Sequence, residues 1–475
     1  MKSKFKAKFK LDTVSSTCLI VGLIFLHWGQ TWHYLLGNTF RLASLGMGLL
    51  LVVLGSWVMG RKRIKQSPLF MALSGGYFVL LALLSYARGN MVWQDPLQLV
   101  FIGVCILLFW SGFILGNGAD RMRQAPRTKA MVLEFVGVLA VVGLWSLLQY
   151  VKSADFQTAA RTFGDDKDTA LNPVGVAYST MCLAIVFSSI GVSECSIWRK
   201  LLWFGLAILA SFVSISTGSR GAIMWGAVAL IYMGLLCRNG RLWTSYPRKK
   251  IKRKSSGIVL QTVIVGLVLV TVLLWARDAE VISSNRIEMI SSRFGAIIDM
   301  LSGSGDDVSA SARVDIWNYY LATWDQWIVL GKAEQAGYPH NQWLEIFVKF
   351  GILGIPLFAM SIFVLTKVIG TLFMPKANSD LNLKLISSLL VFAYLQSLTS
   401  LSLQMNRVLW LGFGYILGAM NAERHLQGPQ KSSPRPKSRP RPRRWMERED
   451  SSGSNIKESS NFQKSPVSYQ HGRTI

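Results

Sequence analysis

The chain has 475 residues, of which 51% are hydrophobic and only 16% carry a charged side chain. A soluble domain carries roughly 25% charged residues because polar groups must cover its surface, so this composition argues against a soluble protein. The formal net charge of +26 is compatible with nucleic-acid binding. However, no folded nucleic-acid-binding module accompanies the basic residues, and we predict no nucleic acid as a partner.

Apolar stretches of membrane length recur along the chain. A hydrocarbon core of about 30 Å needs about 20 apolar residues per helix, and twelve stretches approach that length. They lie at approximately 14–31, 39–60, 68–87, 97–116, 130–151, 172–192, 201–217, 221–237, 257–276, 343–368, 383–402 and 407–422. Some are short and rich in glycine, so a re-entrant segment in place of one span stays open. The pattern predicts an all-α polytopic membrane protein.

The basic residues indicate the orientation of these spans. Lys and Arg favour the cytoplasmic side of a membrane, and here they cluster in alternate loops, such as 61–65, 121–129 and 238–254, and at both termini. This alternation predicts an even number of spans with the N-terminus and the C-terminus in the cytoplasm. Most of the net charge is therefore a topology signal.

The spans divide the chain into five parts. We predict a basic cytoplasmic N-terminus (1–13), spans one to nine (14–276), a large extracytoplasmic loop (277–342), spans ten to twelve (343–422) and a disordered, basic tail rich in Pro, Arg and Ser (423–475). Such a tail cannot bury a core and is attracted to anionic lipid head groups. Within the loop, residues 312–330 have apolar residues at helical spacing, which predicts an amphipathic helix on the membrane surface.

Three residues on the predicted outer face could carry chemistry. Arg220 lies in a Ser-Arg-Gly turn between two spans, where it could bind an anion at a helix N-terminus or extend to lipid head groups. Arg313 begins the amphipathic stretch, and taken alone it favours a surface role. His340 lies where the long loop re-enters the membrane, and nearby arginines would lower its pKa and keep it neutral. Glu345 and Lys349 have helical i, i+4 spacing, which predicts an ion pair.

Several kinds of site have no counterpart in the sequence. There is no phosphate loop, nucleophile elbow, zinc-ligand spacing or paired-aspartate motif. Charged residues are also rare in the middle of the predicted spans, whereas ion-coupled transporters commonly need them there. The sequence therefore predicts neither a metal nor a cofactor.

The residues resemble the O-antigen ligase and O-antigen polymerase superfamily of bacterial envelope enzymes. Ligases of this family show His-Asn, nine residues, then Gly-x-x-Gly, and the chain has His340-Asn341 followed after nine residues by Gly351–Gly354. The sequence Ser219-Arg220-Gly221 matches the Ser-Arg-Gly between two spans of the family. Arg313 with Trp317 matches its Arg and Trp in the large periplasmic loop.

One motif departs from the family pattern. Relatives often show Arg-x-x-Gly followed by Asn-Pro-Asn. Here Arg161 begins the first element, but the second reads Asn172-Pro173-Val174 and lacks the last Asn. The basic, proline-rich tail is not a family hallmark either.

The resemblance implies a GT-C-like fold and a metal-independent, inverting glycosyltransferase in the bacterial inner membrane. Its donor would be a glycan on polyprenyl diphosphate, for example undecaprenyl diphosphate, and its acceptor a lipid or glycan hydroxyl such as lipid A-core. His340 would be the general base, and Arg220 and Arg313 would stabilise the diphosphate. The resemblance further implies substrate binding by a set of four residues: Ser219, Tyr338, Asn341 and Arg161.

The sequence leaves several functions open. Ligation to a lipid acceptor in lipopolysaccharide biosynthesis is the leading interpretation, and polymerisation of polysaccharide repeat units is the closest rival. Transfer to a protein hydroxyl uses the same chemistry. A transporter, or a membrane protein related to bicarbonate uptake, is the alternative from a different class.

Overall fold

A computed structural model of the chain describes its helical part. The described residues are 46–55, 68–87, 96–117, 140–145, 173–194, 196–243, 308–332, 338–373, 381–400 and 406–427, together with 18, 21, 22, 25, 43, 44, 148, 288, 291, 292, 295 and 403. Every regular element in these ranges is helical, which agrees with the predicted all-α class. The ninth predicted span, Arg161 and residues 428–475 of the predicted tail lie outside the described residues. Residues 423–427, which the sequence predicts to be disordered, instead continue the last helix, Arg407–Gln427.

Besides the helical residues at 46–55 and 140–145, the structure describes eleven α-helices with both ends. They are α1 (Pro68–Ala87), α2 (Pro96–Gly116), α3 (Pro173–Ser193), α4 (Ile197–Ser216), α5 (Arg220–Trp243), α6 (Val308–Ala322), α7 (Trp324–Trp327), α8 (Gln342–Phe350), α9 (Ile355–Gly370), α10 (Leu381–Ser397) and α11 (Arg407–Gln427). Seven predicted spans each overlap one of these eleven helices, namely those at 68–87, 97–116, 172–192, 201–217, 221–237, 383–402 and 407–422, and the spans at 39–60 and 130–151 overlap the helical residues 46–55 and 140–145.

Four of the described helical stretches are long and apolar enough to cross a membrane. These are Val174–Val192, Ile197–Ser216, Arg220–Cys237 and Gln342–Phe373. Shorter apolar helices lie at Gly46–Gly55, Leu69–Leu84, Gly103–Gly116 and Leu383–Ser397. Their length and composition are those of a helical membrane protein.

The predicted span 343–368 is divided. Helix α8 ends after nine residues at Gly351, which has a φ of +57°, and a 3₁₀ turn over Gly351–Gly354 leads into α9. Pro356 occupies the first turn of α9, where its missing N–H costs no hydrogen bond. The hydrophobic pattern continues across this break, so hydropathy predicts one span where the backbone forms two helices.

The predicted pair of Glu345 and Lys349 is confirmed. Lys349 Nζ lies 2.7 Å from Glu345 Oε1, and both side chains are buried. The second carboxylate oxygen, Glu345 Oε2, accepts a hydrogen bond of 3.0 Å from the backbone N–H of Leu403, just before α11. The ion pair therefore connects α8 with the start of α11.

Helices α2 and α11 contact each other through glycines. Gly112 and Gly116 on α2 meet the backbone of α11, and Gly414 and Gly418 on α11 meet the backbone of α2. A β-carbon at any of these four positions would lie less than 3.0 Å from a backbone carbonyl oxygen of the other helix. Small residues at a four-residue spacing allow such close contact between membrane helices.

The predicted amphipathic helix over 312–330 is two helices, α6 and α7, which are separated at Thr323. Val314, Leu321 and Trp324, which belong to the predicted apolar stripe, are exposed. A different face is buried: Tyr320 and Trp327 pack with Val348 of α8. Residues 312–330 therefore have two apolar faces. One is buried against α8, and the other is exposed.

We predict that Gly414→Leu prevents the close packing of α2 and α11. The new side chain would overlap the backbone of α2, and overpacking of this kind costs about 3 kcal/mol. The measurement is the Tm of purified protein in detergent, with size-exclusion chromatography to detect misassembly. Gly103→Leu on α2 is the matched control, since a β-carbon there meets no atom within 4 Å. A wild-type Tm for Gly414→Leu would contradict the glycine contact.

Candidate functional site

The Ser-Arg-Gly motif lies in a tight turn between α4 and α5. Thr217 Oγ1 donates a hydrogen bond of 2.7 Å to the Ser214 carbonyl and accepts one of 3.1 Å from the backbone N–H of Ser219. Gly218 has a φ of +66°, a left-handed conformation that glycine adopts at little cost. The turn therefore places Arg220, which is partly buried, at the first residue of α5.

The end of α10 lies against this turn. A β-carbon on Gly221 would lie 3.4 Å from Gln396 Oε1, Thr399 Oγ1 and Ser400 Oγ. Thr399 Oγ1 also accepts a hydrogen bond of 3.0 Å from the indole of Trp225, one turn further along α5. The side of the turn that carries Gly221 therefore faces polar side chains at the end of α10.

The same end of α10 also binds the start of α8. The hydroxyl of Ser397 donates a hydrogen bond to Gln342 Oε1, and the indole of Trp343 donates one of 2.9 Å to the hydroxyl of Tyr394. Gln342 follows the His-Asn motif directly. The end of α10 thus joins the Ser-Arg-Gly turn and the His-Asn turn, which are more than 100 residues apart in the chain.

The His-Asn motif forms the N-terminal cap of α8. The side-chain oxygen of Asn341 accepts hydrogen bonds from the backbone N–H groups of Trp343 (3.0 Å) and Leu344 (3.2 Å), as an N-cap residue should. His340 has a φ of +52°, and a non-glycine residue in this region carries strain of about 1–3 kcal/mol. The cap helps to hold His340 in this conformation.

Helix α6 also contacts the chain directly before the His-Asn motif. The indole Nε1 of Trp317 donates a hydrogen bond of 2.6 Å to the carbonyl oxygen of Pro339. Arg313 lies one helical turn before Trp317, so both residues lie on the same side of α6. The Arg-Trp pair and the His-Asn motif, which are separate in the sequence, are therefore adjacent in space.

Burial and charge keep His340 neutral. Desolvation, followed by the positive charge of Arg313, lowers the pKa of His340 to about 4. The ring of Tyr338 packs edge-on against the imidazole at 4.7 Å between centroids. His340 Nδ1 is buried and has no hydrogen-bond partner among the described residues. The site thus holds a neutral imidazole beside a guanidinium group.

The Gly-x-x-Gly element fastens the loop to the end of α8. The backbone N–H of Lys332 donates a hydrogen bond of 2.7 Å to the Val348 carbonyl. Gly331, with a φ of +75°, contacts the backbone of Lys349, and a β-carbon on Gly351 would lie 2.6 Å from the backbone of Val329. We call the contact between residues 329–332 and 348–351 the glycine clasp. It fixes the chain shortly before it reaches His340.

The second glycine of the element serves helix packing. A β-carbon on Gly354 would lie 2.6 Å from Ile346 Cγ2 and 2.9 Å from the Ile346 carbonyl oxygen. The absence of a side chain therefore lets the start of α9 lie directly on α8. At the break between these helices, Gly351 thus contacts the loop at Val329, whereas Gly354 contacts Ile346 of α8.

The predicted site residues have different positions in the structure. Arg313, Tyr338, His340 and Asn341 lie together. Arg220 and Ser219 lie in the other turn, which contacts the same end of α10 as the start of α8 does. Ser219 is buried, and its backbone N–H and carbonyl take part in the turn. Arg161 lies outside the described residues.

Sequence reasoning missed Gly331 and the two glutamines. Gln396 ends an otherwise apolar stretch, which is the one sequence signal that could have drawn attention to it. Gly331 carries no motif, because its role depends on Gly351. Among the described residues, no group of three or more His, Cys, Asp or Glu side chains could hold a metal ion.

Comparison with protein families supports the resemblance that the motifs suggest. Residues 205–359 match the family model described as O-antigen ligase. The matched range begins in α4 and ends in α9, and it contains Arg220, Arg313 and His340. Over this third of the chain, the match agrees with the predicted resemblance to the O-antigen ligase and polymerase superfamily. Comparisons with curated proteins and with solved structures give no match.

We predict that Gly351→Ala opens the glycine clasp. Gly351 has a φ of +57° and a ψ of −141°, close to a region that only glycine adopts readily, and the β-carbon of alanine would overlap the backbone of Val329. The loop should then be cleaved faster in limited proteolysis, at sites within 308–340. Gly370→Ala is the matched control, since a β-carbon there meets no atom within 4 Å. Equal cleavage rates in the two variants would show that the clasp does not hold the loop.

Proposed function

We propose that this chain, whose residues 205–359 match the family model described as O-antigen ligase, moves a glycan from a polyprenyl-diphosphate carrier to an acceptor hydroxyl. The observation that carries the proposal is the neutral His340, held at a positive φ beside Arg313 within the matched domain. Strained residues and shifted pKa values concentrate at functional sites. A neutral imidazole and a nearby guanidinium are the groups that such a transfer needs.

The proposed reaction is a direct displacement at the anomeric carbon. The acceptor oxygen attacks this carbon while a nitrogen of His340 takes the hydroxyl proton. The bond from the anomeric carbon to the diphosphate oxygen breaks, and its electron pair stays on the diphosphate. The products are the glycosylated acceptor and polyprenyl diphosphate, and the imidazolium later releases its proton to water. One displacement inverts the anomeric configuration.

The arginines are proposed to stabilise the leaving diphosphate. A guanidinium group presents a planar fork of donors that suits phosphate oxygens. Arg220 lies at the first residue of α5, where the helix dipole adds positive potential. Arg313 approaches from α6. Two fixed cations at developing negative charge lower the barrier without a metal ion.

The remaining expected contacts belong to the same proposal. Ser219, Tyr338 and Asn341 line the region around the two turns, and Arg161 would join them from the predicted outer loop at 152–171. The apolar helices would hold the polyprenyl chain. The reaction would then take place at the periplasmic face of the bacterial inner membrane, where lipid-linked glycans are presented.

Ligation and polymerisation use this chemistry equally well. The spacing from His340-Asn341 to Gly351–Gly354 is that of the ligases, so we propose ligation to a glycolipid of the lipid A-core type. Glycan profiles of a deletion strain separate the possibilities. Full-length polymer left on the lipid carrier supports a ligase, and single repeats support a polymerase. Unchanged envelope glycans would contradict both and favour a transport role.

We predict that His340→Ala and Arg220→Ala each abolish transfer from a lipid-linked donor to its acceptor. Loss of a general base lowers the rate about 10²–10⁴-fold, and loss of a charge-stabilising donor about 10²–10³-fold. The measurement is product formation by purified protein in detergent with a chelator present. Expression, membrane insertion and Tm should stay near those of the wild type.

Arg199→Ala is the matched control for Arg220→Ala, because Arg199 is an exposed arginine near the start of α4. It should transfer glycan at the wild-type rate. Wild-type activity in either site variant would remove that residue from the proposed mechanism.

We predict that the acid limbs of kcat and of kcat/KM lie at different pH values. His340 must be neutral to act as base, so activity falls as pH drops through its pKa. In the free protein that pKa is about 4, and kcat/KM reports the free protein. A bound diphosphate offsets the charge of Arg313 and raises the pKa of His340, so the acid limb of kcat should lie at higher pH than that of kcat/KM.

Arg313 variants test the cause of this shift. Arg313→Gln removes the positive charge, which should raise the pKa of His340 and move the acid limb of kcat/KM to higher pH. Arg313→Lys keeps the charge, so its limb should stay in place while kcat falls because the guanidinium fork is lost. Identical limbs in the two variants would show that Arg313 does not set the pKa of His340.

A further inference from the structure

Two buried glutamines lie between the two turns of the candidate site. The side chains of Gln342 and Gln396 are fully buried. Gln342 Oε1 accepts a hydrogen bond from Ser397, but Gln342 Nε2 has no partner among the described residues. In Gln396, neither the amide nitrogen nor the amide oxygen has a partner within that part of the chain. Together the two side chains offer both donors and an acceptor.

The position of these amides relates them to the site. Gln342 follows His340 by two residues and begins α8. Gln396 Oε1 lies next to Gly221, the residue after Arg220, since a β-carbon at this glycine would be 3.4 Å from that oxygen. The adjacent residue of α10, Ser397, is the one that binds Gln342. Gln342 therefore lies close to His340 in the chain, Gln396 lies beside the residue that follows Arg220, and Ser397 connects the two.

Burial of an amide without hydrogen bonds is unfavourable. Methionine or leucine would fill the same space without this cost, so packing does not explain the choice of glutamine. An amide pair with unused donors and acceptors matches a ligand group that can both donate and accept hydrogen bonds. Sugar hydroxyl groups have this property, since each carries one donor and two acceptor lone pairs.

We propose that Gln342 and Gln396 form a saccharide-binding subsite that holds hydroxyl groups of a sugar next to His340. This inference rests on the proposed glycan transfer and assigns the amides to its substrate. The sugar belongs either to the donor glycan or to the acceptor. Both present hydroxyl groups, and separate KM values for the donor and the acceptor distinguish the two sources.

The test is steady-state kinetics and thermal unfolding of full-length Gln396→Met in detergent. The probes are the polyprenyl-diphosphate-linked glycan and the glycolipid acceptor extracted from a strain that lacks this gene. Loss of one or two neutral hydrogen bonds raises a KM roughly three- to tenfold, with a smaller change in kcat. The Tm should be unchanged or higher, because methionine removes the unsatisfied amide.

The substrate whose KM rises identifies the source of the sugar. A rise for the donor alone assigns the subsite to the donor glycan, and a rise for the acceptor alone assigns it to the acceptor. Gln326→Met is the matched control, since Gln326 is exposed in α7, and it should leave both KM values unchanged. Unchanged KM values in Gln396→Met would overturn the subsite. A lower Tm with unchanged KM values would show instead that a water molecule or the protein satisfies the amide.

Gly221→Ala gives a second test that keeps both glutamines. Its β-carbon would touch Gln396 at ordinary contact distance, and alanine is the better helix former, so the protein should fold and its Tm should not fall. The methyl group should obstruct the amide and raise the same KM as Gln396→Met does. A rise in the KM of the other substrate, or in neither, would contradict the inference.

A binding measurement separates this inference from the proposed function. Intrinsic tryptophan fluorescence, to which Trp225 and Trp343 near the amides contribute, is titrated with undecaprenyl diphosphate and with the extracted donor. For a donor subsite, Gln396→Met should bind undecaprenyl diphosphate as the wild type does and lose the added affinity for the donor. If the wild type forms no product from the lipid-linked donor and the acceptor, the proposed function fails. If His340→Ala is inactive and Gln396→Met has wild-type kinetics and binding, the subsite alone fails.

Discussion

Two residues between α10 and α11, Leu403 and Asn406, are buried in the protein interior, where polar groups must find partners within the protein. Glu345 Oε2 accepts the backbone N–H of Leu403. Asn406 accepts a hydrogen bond of 2.8 Å from the hydroxyl of Tyr178 on α3, and its amide donates one of 2.6 Å to Ala393 on α10. Helices α3, α8 and α10 thereby hold one connection. Because the two turns of the candidate site rest on the end of α10, their relative position depends on these few buried contacts.

Departures from ordinary folding rules are concentrated near these turns. His340 is the one non-glycine residue with a positive φ in the described part of the chain, and its buried Nδ1 lacks a partner there. The nearby amides of Gln342 and Gln396 also have unused hydrogen-bonding atoms. A folded protein tolerates such costs where function requires them, and the rest of the structure offsets them. The location of the strain is therefore an argument for function that does not depend on the family.

Local patterns in the sequence predict much of this molecule. Hydropathy predicts the position of α3, and i, i+4 spacing predicts the pair of Glu345 and Lys349, because both depend on neighbouring residues. The break at Gly351 is different: its positive φ is stabilised by contact with Gly331, which is twenty residues away. The face that α6 buries likewise depends on α8. The role of Gln396 requires knowledge of what faces it, so no local pattern could indicate it.

The charge of the chain and the charge of the site follow different rules. The sequence predicts most basic residues in loops, where their distribution indicates the orientation of the spans. Arg313 instead lowers the pKa of His340, and the burial of His340 strengthens this electrostatic effect. In the proposed reaction the donor diphosphate neutralises this arginine, so the basicity of His340 increases only when the donor is bound. When the acceptor binds without the donor, His340 is the weaker base and the acceptor hydroxyl keeps its proton. The same cation would then both hold the diphosphate and time the proton transfer.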